Sequence, residues 1–303
     1  MCAIGLDVGG TKIAAGLVTP DGKVITRRVI PTLPQRGGEH VLEDALALAA
    51  SLRSEVTAAD WNVVAVGIGV AELVDLRGNV ASAQTIPWRG LPVQKRFGEL
   101  APAVVEADSR AAAFCEAKFG AGRDHRIFLY LTVGTGIGCC LVLDGVPYAG
   151  AHGATGTLAS SPLTNRCTEC GAASRPVLEQ IASGPALATR YNDLTVKKVE
   201  KCEDVLAAAV AGDRQAIHVV RTAGEALGAT VGLMVNVLDP EAVVVGGGLG
   251  SAGGLYWEEF VASTRRHIWS DTRRDLPVIT AAYGSDAGFV GAATLALQRC
   301  RIT

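Results

Sequence analysis

Asp7, Gly9, Gly10, Thr11 and Lys12 lie close together near the start of the chain, between an apolar strand that ends in Asp7 and a second strand from Ile13 to Val18. These residue types in this order can hold a phosphate. The two glycines can take the positive φ of a tight turn and let backbone N–H groups approach an anion, Thr11 adds a hydroxyl and Lys12 a cation. Asp7, at a strand end, can hold a Mg2+ that bridges phosphates. Taken alone, the same residues also make an ordinary β-hairpin. Two further glycine turns bear on the choice. Gly134-Thr135-Gly136 sits between the apolar runs Ile127 to Leu131 and Cys139 to Leu143 and repeats the first design. The strand Ala242 to Val245 runs into Gly246-Gly247-Gly248, ahead of a helix beginning near Gly254. None of the three has the Rossmann or Walker spacing. Three glycine turns at strand ends suit a nucleotide, the first two gripping phosphates and the third lining the adenosine.

Asp108 is the candidate for proton transfer. It ends the strand Ala103 to Ala107 and starts the next helix. Phosphoryl transfer to an alcohol needs a carboxylate to accept the hydroxyl proton and little covalent work besides. The competing reading is an Asp that N-caps its helix, a role Asp fills well.

The elements that must position these groups follow from apolar periodicity. Strands at about 3–8, 12–18 and 23–30 form a meander. A helix from Glu39 to Val56 follows, with Val41, Leu42, Ala45, Leu46 and Leu52 on one face. A strand at 63–69, a loop through Pro87-Trp88, a short helix from about 92, a strand at 103–107 and a helix at 109–119 complete an α/β domain over residues 1–122. A second domain, 123–303, holds paired strands, a Gly-rich loop at 144–175, helices at 176–191, 202–210 and 213–236, strands at 241–245 and 277–282, and a last helix from about 286. The two halves repeat one strand and glycine-turn theme, so a cleft between them is the expected site.

With 303 residues, 49% hydrophobic and 19% charged, the chain has the composition of a soluble globular enzyme with room for two cores. A net charge of −2 gives no electrostatic footprint for nucleic acid. The apolar runs are broken by Gly or charges, so neither a membrane span nor a signal peptide is expected, and the expected location is the cytoplasm. Eight cysteines are scattered, several within apolar strands, as reduced thiols packed like small hydrophobes would be.

Taken together, the motifs resemble the ROK family (repressor, open reading frame, kinase) of the actin-like, ribonuclease H-like ATPase fold. LDVGGTKIAAGLV resembles its first phosphate motif, VEADSRAAAFCEAKFGAG its catalytic-Asp segment, LTVGTGIGCCLVLDGVPYAG its second phosphate motif, DPEAVVVGGGLG its adenosine motif and YGSDAGFVGAATLAL its closing helix. Five motifs stand in the family's order across nearly the whole chain. The resemblance implies two α/β domains, the last helix packing back on the first, a homodimer, and an ATP- and Mg2+-dependent kinase for the primary hydroxyl of a sugar or cyclitol. It places Asp108 on the general base of a segment usually written Glu-Asn-Asp-Ala-Asn-Ala-Ala. The family's repressors carry a helix-turn-helix ahead of the first phosphate motif, and here Asp7 follows Met1 closely. A non-catalytic sugar or nucleotide sensor is the other alternative, although such a protein has no need of Asp108.

Around the acceptor the sequence departs from that pattern. The Asn before the base is Ala107. The family's Ala-Gly-Glu-Ile-Gly-His, which gives a Glu and a His to sugar hydroxyls, reads Thr155-Gly156-Thr157-Leu158-Ala159-Ser160, and only the later sugar-binding Glu is kept, as Glu179. Losing three such contacts removes on the order of 3–6 kcal/mol, or roughly 10²–10⁴ in affinity for an ordinary hexose. Thr157 and Ser160 recover part of that. The expected acceptor is therefore an amino sugar such as kanosamine or a C7 cyclitol, with ordinary glucose as the alternative. Glu72, in a loop where the family has Pro-Gly, is either a replacement substrate carboxylate or a solvated loop residue. The family's structural zinc is not expected: Cys167 and Cys170 keep a CxxC pair, but the third Cys is absent and Ser160 replaces the His, leaving fewer than the four ligands such sites use. Trp88 is either a cover for the substrate or a core or interface residue. His152 and the run Arg265-Arg266-His267 read as solvated.

Overall fold

The computed structural model describes residues 1–300 apart from 58–60, 167–168, 172 and 197. The chain packs as two compact units made of interleaved segments. One comprises Met1–Ile127, Cys140–Gly156 and Ala282–Thr303, the other Phe128–Cys139 and Thr157–Ala281. In chain order the strands are β1 (Cys2–Val8), β2 (Lys12–Val18), β3 (Val24–Pro31), β4 (Val63–Val70), β5 (Ala103–Ala107), β6 (Ile127–Val133), β7 (Ile137–Leu143), β8 (Val146–Pro147), β9 (Asn165–Arg166), β10 (Ala173–Ser174), β11 (Ala242–Gly246) and β12 (Val278–Thr280). The helices are α1 (Gly38–Thr57), α2 (Val93–Gly98), α3 (Asp108–Phe119), α4 (Glu179–Ala182), α5 (Gly184–Leu194), α6 (Cys202–Val210), α7 (Arg214–Leu238), α8 (Gly254–His267) and α9 (Ala287–Cys300).

In the first unit the sheet order is β3-β2-β1-β4-β5, with β1, β4 and β5 parallel and the β1-β2-β3 meander antiparallel. The period of two sorts side chains by size. In β1, Cys2, Ile4, Leu6 and Val8 join Val66, Ile68 and Val70 of β4 in one core with Val41, Leu42, Ala45 and Leu52 of α1. Each such fully buried aliphatic side chain contributes about 1.5–3 kcal/mol. The opposite face carries Ala3, Gly5 and Asp7 of β1 and Ala65, Gly67 and Gly69 of β4. Small residues there let α9 lie against the strands: a methyl group on Gly5 would collide with the Phe289 carbonyl oxygen, and one on Gly67 with that of Ala292. Ala111 and Phe114 of α3 pack with Ala292 and Leu295 of α9 on the same side. The buried Glu116 fixes the entry to α9, its carboxylate accepting from the N–H groups of Ala121 (2.8 Å), Ala282 (3.0 Å) and Tyr283 (2.8 Å).

The other sheet has the order β12-β11-β6-β7-β8, with β11 parallel to both β12 and β6. In the second unit, α7 starts at Asp213, which caps the N–H groups of Gln215 and Ala216, and turns Val219, Val220, Leu227, Val231 and Val235 into a core shared with Tyr256 and Phe260 of α8. The expected helix over 176–191 is instead two, α4 and α5. Pro185 has no N–H and its ring blocks helical continuation, so the chain breaks at Ser183 (φ −79°, ψ 164°), whose hydroxyl accepts from Ala186 N–H to start the next helix. Short strands β8, β9 and β10 punctuate the loop expected over 144–175. Among the described residues no helix is long and apolar enough to cross a membrane.

Gly67→Ala is expected to cost about 3 kcal/mol, the upper part of the overpacking range, because the clash is with helix backbone rather than a side chain. Gly98→Ala, at the end of α2 with open space around it, should be neutral or stabilising. Chemical denaturation of both variants checks this, and equal stability of the two would refute the close approach of α9.

Candidate active site

Three carboxylates converge in the first unit. Asp7 is the penultimate residue of β1, Glu72 stands just past the end of β4, and Asp108 follows β5 directly. Because β1, β4 and β5 are parallel neighbours, all three sit at the carboxyl ends of adjacent strands, the position where open α/β sheets bind ligands. Asp7, Gly69 and Glu106 share one register row.

Their electrostatics differ. Burial lifts the Asp7 carboxyl to about 6, against the opposing charge of Lys12. Burial and the charge of Asp7 lift Asp108 to about 7; Glu72 adds to the rise, while the Ser109 N–H and Arg110 oppose it. Each aspartate keeps some surface open to solvent while its carboxylate lies deep. Asp108 does not cap its helix. Ala107 occupies the N-cap, no side chain caps the first turn, and Asp108 Oδ1 accepts from the adjacent Ser109 N–H at 2.5 Å. Glu72 is neither solvated nor open to a ligand. Its buried carboxylate accepts from Ser82 Oγ and from the N–H groups of Gln84 (3.0 Å), Thr85 (2.5 Å) and Ile86 (2.7 Å), which fills its acceptor positions and clamps the loop.

That loop abuts the first glycine turn. A methyl group on Gly10 would stand 2.5 Å from the Thr85 methyl. The turn closes through Gly9 N–H to the Lys12 carbonyl (3.1 Å), and the buried Thr32 braces it twice, Oγ1 to the Gly9 carbonyl (2.6 Å) and N–H to the Thr11 carbonyl (3.1 Å). Thr11 and Lys12 are exposed. Thr32 was not singled out from the sequence; its one visible signal is its place directly after β3, whose Pro31 pairs with Lys12.

In the second unit the other two glycine turns lie side by side at the ends of parallel β6 and β11, where Gly246 is in register with Thr132. Gly247 has φ +83° and packs on the Val133 carbonyl, where a methyl group would collide; Leu249 and Gly250 N–H groups donate to that same carbonyl at 3.0 Å. Gly248 N lies 3.8 Å from where a methyl on Gly134 would stand. The 134–136 turn rests on the α4–α5 junction: Gly184 N–H donates to the Gly134 carbonyl (2.8 Å), and Glu179 Oε2 accepts from Ile137 N–H (2.9 Å). Thr135 is exposed at the tip.

Thr157 and Ser160 are exposed in a single 3-10 turn, Ser160 Oγ donating to the Thr157 carbonyl (2.7 Å). Ala107 is buried and offers no polar side-chain atom. Trp88 is a core residue, fully buried with its indole N–H donating to the Gly38 carbonyl (2.8 Å), and His152 is exposed. Cys170 is exposed, and Cys167 lies outside the described residues. Among the described residues no group of three or more His, Cys, Asp or Glu is gathered to hold a metal by protein ligands alone. Asp7 and Asp108 offer hard carboxylate oxygens where positive charge is scarce. That donor set fits a Mg2+ held by one or two carboxylates together with phosphate oxygens.

The chain is similar to known proteins over nearly its whole length. The family model described as ROK family matches residues 3–299. A glucokinase from Streptomyces coelicolor is 33% identical over 97% of each chain. The N-acetylmannosamine kinase of Escherichia coli O157:H7 is 28% identical over 98% of each. The crystal structure of a ROK family glucokinase from Streptomyces griseus in complex with glucose and AMPPNP superposes with a TM-score of 0.84 at 32% identity, covering 98% of this chain and all of that one. The fold is thus that of the actin-like ATPases.

The raised carboxyls predict a stability signature. An Asp whose folded-state pKa exceeds its unfolded value destabilises the fold as pH rises from about 4 towards 7, because the native state then holds a proton that the unfolded chain has released. Asp108→Asn removes that penalty. At pH 8 the variant should be more stable than the parent by about 1–3 kcal/mol, with the gap closing as pH falls to 5. Urea titrations at the two pH values test it, and a pH-independent difference would contradict the desolvated carboxyl.

Proposed function

The chain belongs to the ROK family, and from that premise we propose that it is an ATP-dependent kinase that phosphorylates a hydroxyl of a sugar or sugar-like polyol. The observation that carries the reading is Asp108, freed from a capping role, lifted to about 7 beside Asp7 at the strand ends. A carboxylate poised near neutrality is suited to accept the proton of an acceptor hydroxyl while that oxygen attacks the γ-phosphorus of ATP. The products are the phosphorylated acceptor and ADP, with the proton on Asp108. In the first unit the 9–12 turn supplies backbone N–H groups, the Thr11 hydroxyl and the Lys12 ammonium for phosphate. In the second, the 134–136 turn serves phosphate and Gly246, Gly247 and Gly248 serve the adenosine. Mg2+, held through Asp7, would offset phosphate charge.

For the acceptor we favour an amino sugar of the kanosamine type or a C7 cyclitol. Ala107 has no amide, and Thr157 and Ser160 are short neutral groups in the positions of a Glu and a His. Of the residues expected to touch the acceptor, Glu179 keeps a carboxylate with Oε2 committed to Ile137, and Glu72 is committed to its own loop. The second reading, ordinary glucose, is favoured by the 33% identity to a glucokinase.

Coupled ADP release with Mg-ATP across glucose, N-acetylmannosamine, glucosamine, kanosamine and C7 cyclitols tests both. The first reading expects kcat/KM for an amino sugar or cyclitol at least about tenfold above glucose. Efficient glucose turnover would replace it with the second, and no turnover on any member would count against a kinase of this class. On a working acceptor, Asp108→Asn should lose roughly 10²–10⁴ in kcat while retaining ATP binding, and kcat/KM of the parent should rise with pH through about 7.

A further inference from the structure

Arg110 is the one buried Lys or Arg among the described residues. It lies on the first turn of α3, two residues past Asp108, where the family segment has Asn. Its guanidinium is held from below by Glu106, four residues earlier, which takes Nε at 2.7 Å and Nη2 at 2.6 Å on Oε1. The other Glu106 oxygen accepts from Arg299 on α9 at 3.0 Å. The outer edge of the fork reaches two carbonyls that are far apart in sequence, Nη1 to Gly153 at 2.8 Å and Nη2 to Val74 at 2.7 Å.

Those carbonyls belong to the segments that follow β4 and β8. The segments touch where the fork grips them: Gly153 has φ +75°, and a methyl group there would run into the Val74 carbonyl. The segment after β4 also carries Glu72, which clamps residues 82–86. The hydrogen bonds and the ion pair of Arg110 go to these segments and to Glu106. We infer that Arg110 is a positioning residue for the surroundings of Asp108, fixing residues 72–75 and 149–156 relative to it through the Val74 and Gly153 carbonyls. A planar guanidinium with several donors can serve a carboxylate and two carbonyls at once; an ammonium at the end of a flexible stem cannot hold all three in that geometry.

The kinetic part of this inference rests on the kinase reading above; the structural part does not. Two variants separate the possibilities. Arg110→Lys keeps the charge and loses the fork, whereas the pair Glu106→Gln with Arg110→Met removes both charges together, so that neither is left buried alone. Amide hydrogen exchange is measured on the full chain without nucleotide. Segments 72–75 and 149–156 should exchange at least about tenfold faster in both variants, with β6 and the 9–12 turn unchanged. With a working acceptor, its KM should rise at least about tenfold while the KM for ATP stays within about twofold. Unchanged exchange in the two segments, or equal rises in both KM values, would overturn the inference. Failure of both variants to fold would overturn it too, making Arg110 a requirement of the fold itself. If the parent phosphorylates nothing, the kinase reading falls and exchange alone decides the role of Arg110.

Discussion

Carboxylates repel one another, and the sheet of the first unit brings three of them to the ends of adjacent strands. The compensation each receives decides what it can do. Glu72 has four hydrogen-bond donors from its own loop and serves as a structural clamp. Asp7 has the charge of Lys12 nearby, and Asp108 has one backbone N–H and the charge of Arg110. Those are partial offsets, so burial prevails and both aspartates hold protons more tightly than free carboxyls. For Asp108 burial and the charge of Asp7 together disfavour the charged form. A region with this unmet demand for positive charge, and a carboxyl that exchanges its proton near neutrality, is matched to polyphosphate with its cation and to a hydroxyl that must lose a proton.

The fold can hold such an arrangement because sequence periodicity separates two tasks on the same strands. Large aliphatic side chains at alternate positions of β1 and β4 build the core against α1. The intervening small residues admit α9 and leave Asp7 at the end of their row. The buried carboxylates extend the same logic: Glu72, Glu106 and Glu116 each tie a loop or helix to the scaffold through hydrogen bonds, so the strand ends are fixed by polar contacts while the middles are fixed by packing.

Much of this was legible in the residues. Alternation and glycine turns located β1, β2, β6, β7 and β11 and the three turns, because a period of two and a cluster of glycines are local properties; of the glycines named in those turns, Gly247 alone has a positive φ. Asp108 could be placed at a strand-to-helix junction, but the sequence alone did not exclude a capping role; that needed the N-cap position, which Ala107 takes. Glu72 was noticed for its charge, yet its role depends on backbone donors more than ten residues away, which no pattern of side chains reveals. Thr32 and Gly153 were invisible for the same reason. The spacing of Glu106 and Arg110 was a helical ion pair in plain view, whereas the carbonyls that Arg110 holds came only with the fold. The helix expected over 176–191 broke at Ser183 because Gly184-Pro185 outweighed the apolar spacing around it.

The packing of α9 on β1 and β4 also sets the order in which the molecule can mature. In chain order β1 and the 9–12 turn come far ahead of α9, so the small-residue face of the sheet behind them stays bare until α9 has been made. The small residues of that face bury little by themselves, so the first unit waits for contacts of very large sequence separation. Strand β1 and its Asp7 are therefore completed only by α9, and a chain lacking α9 would present its 9–12 turn on an unfinished sheet. The strand end that carries Asp7 is in this way coupled to the docking of α9.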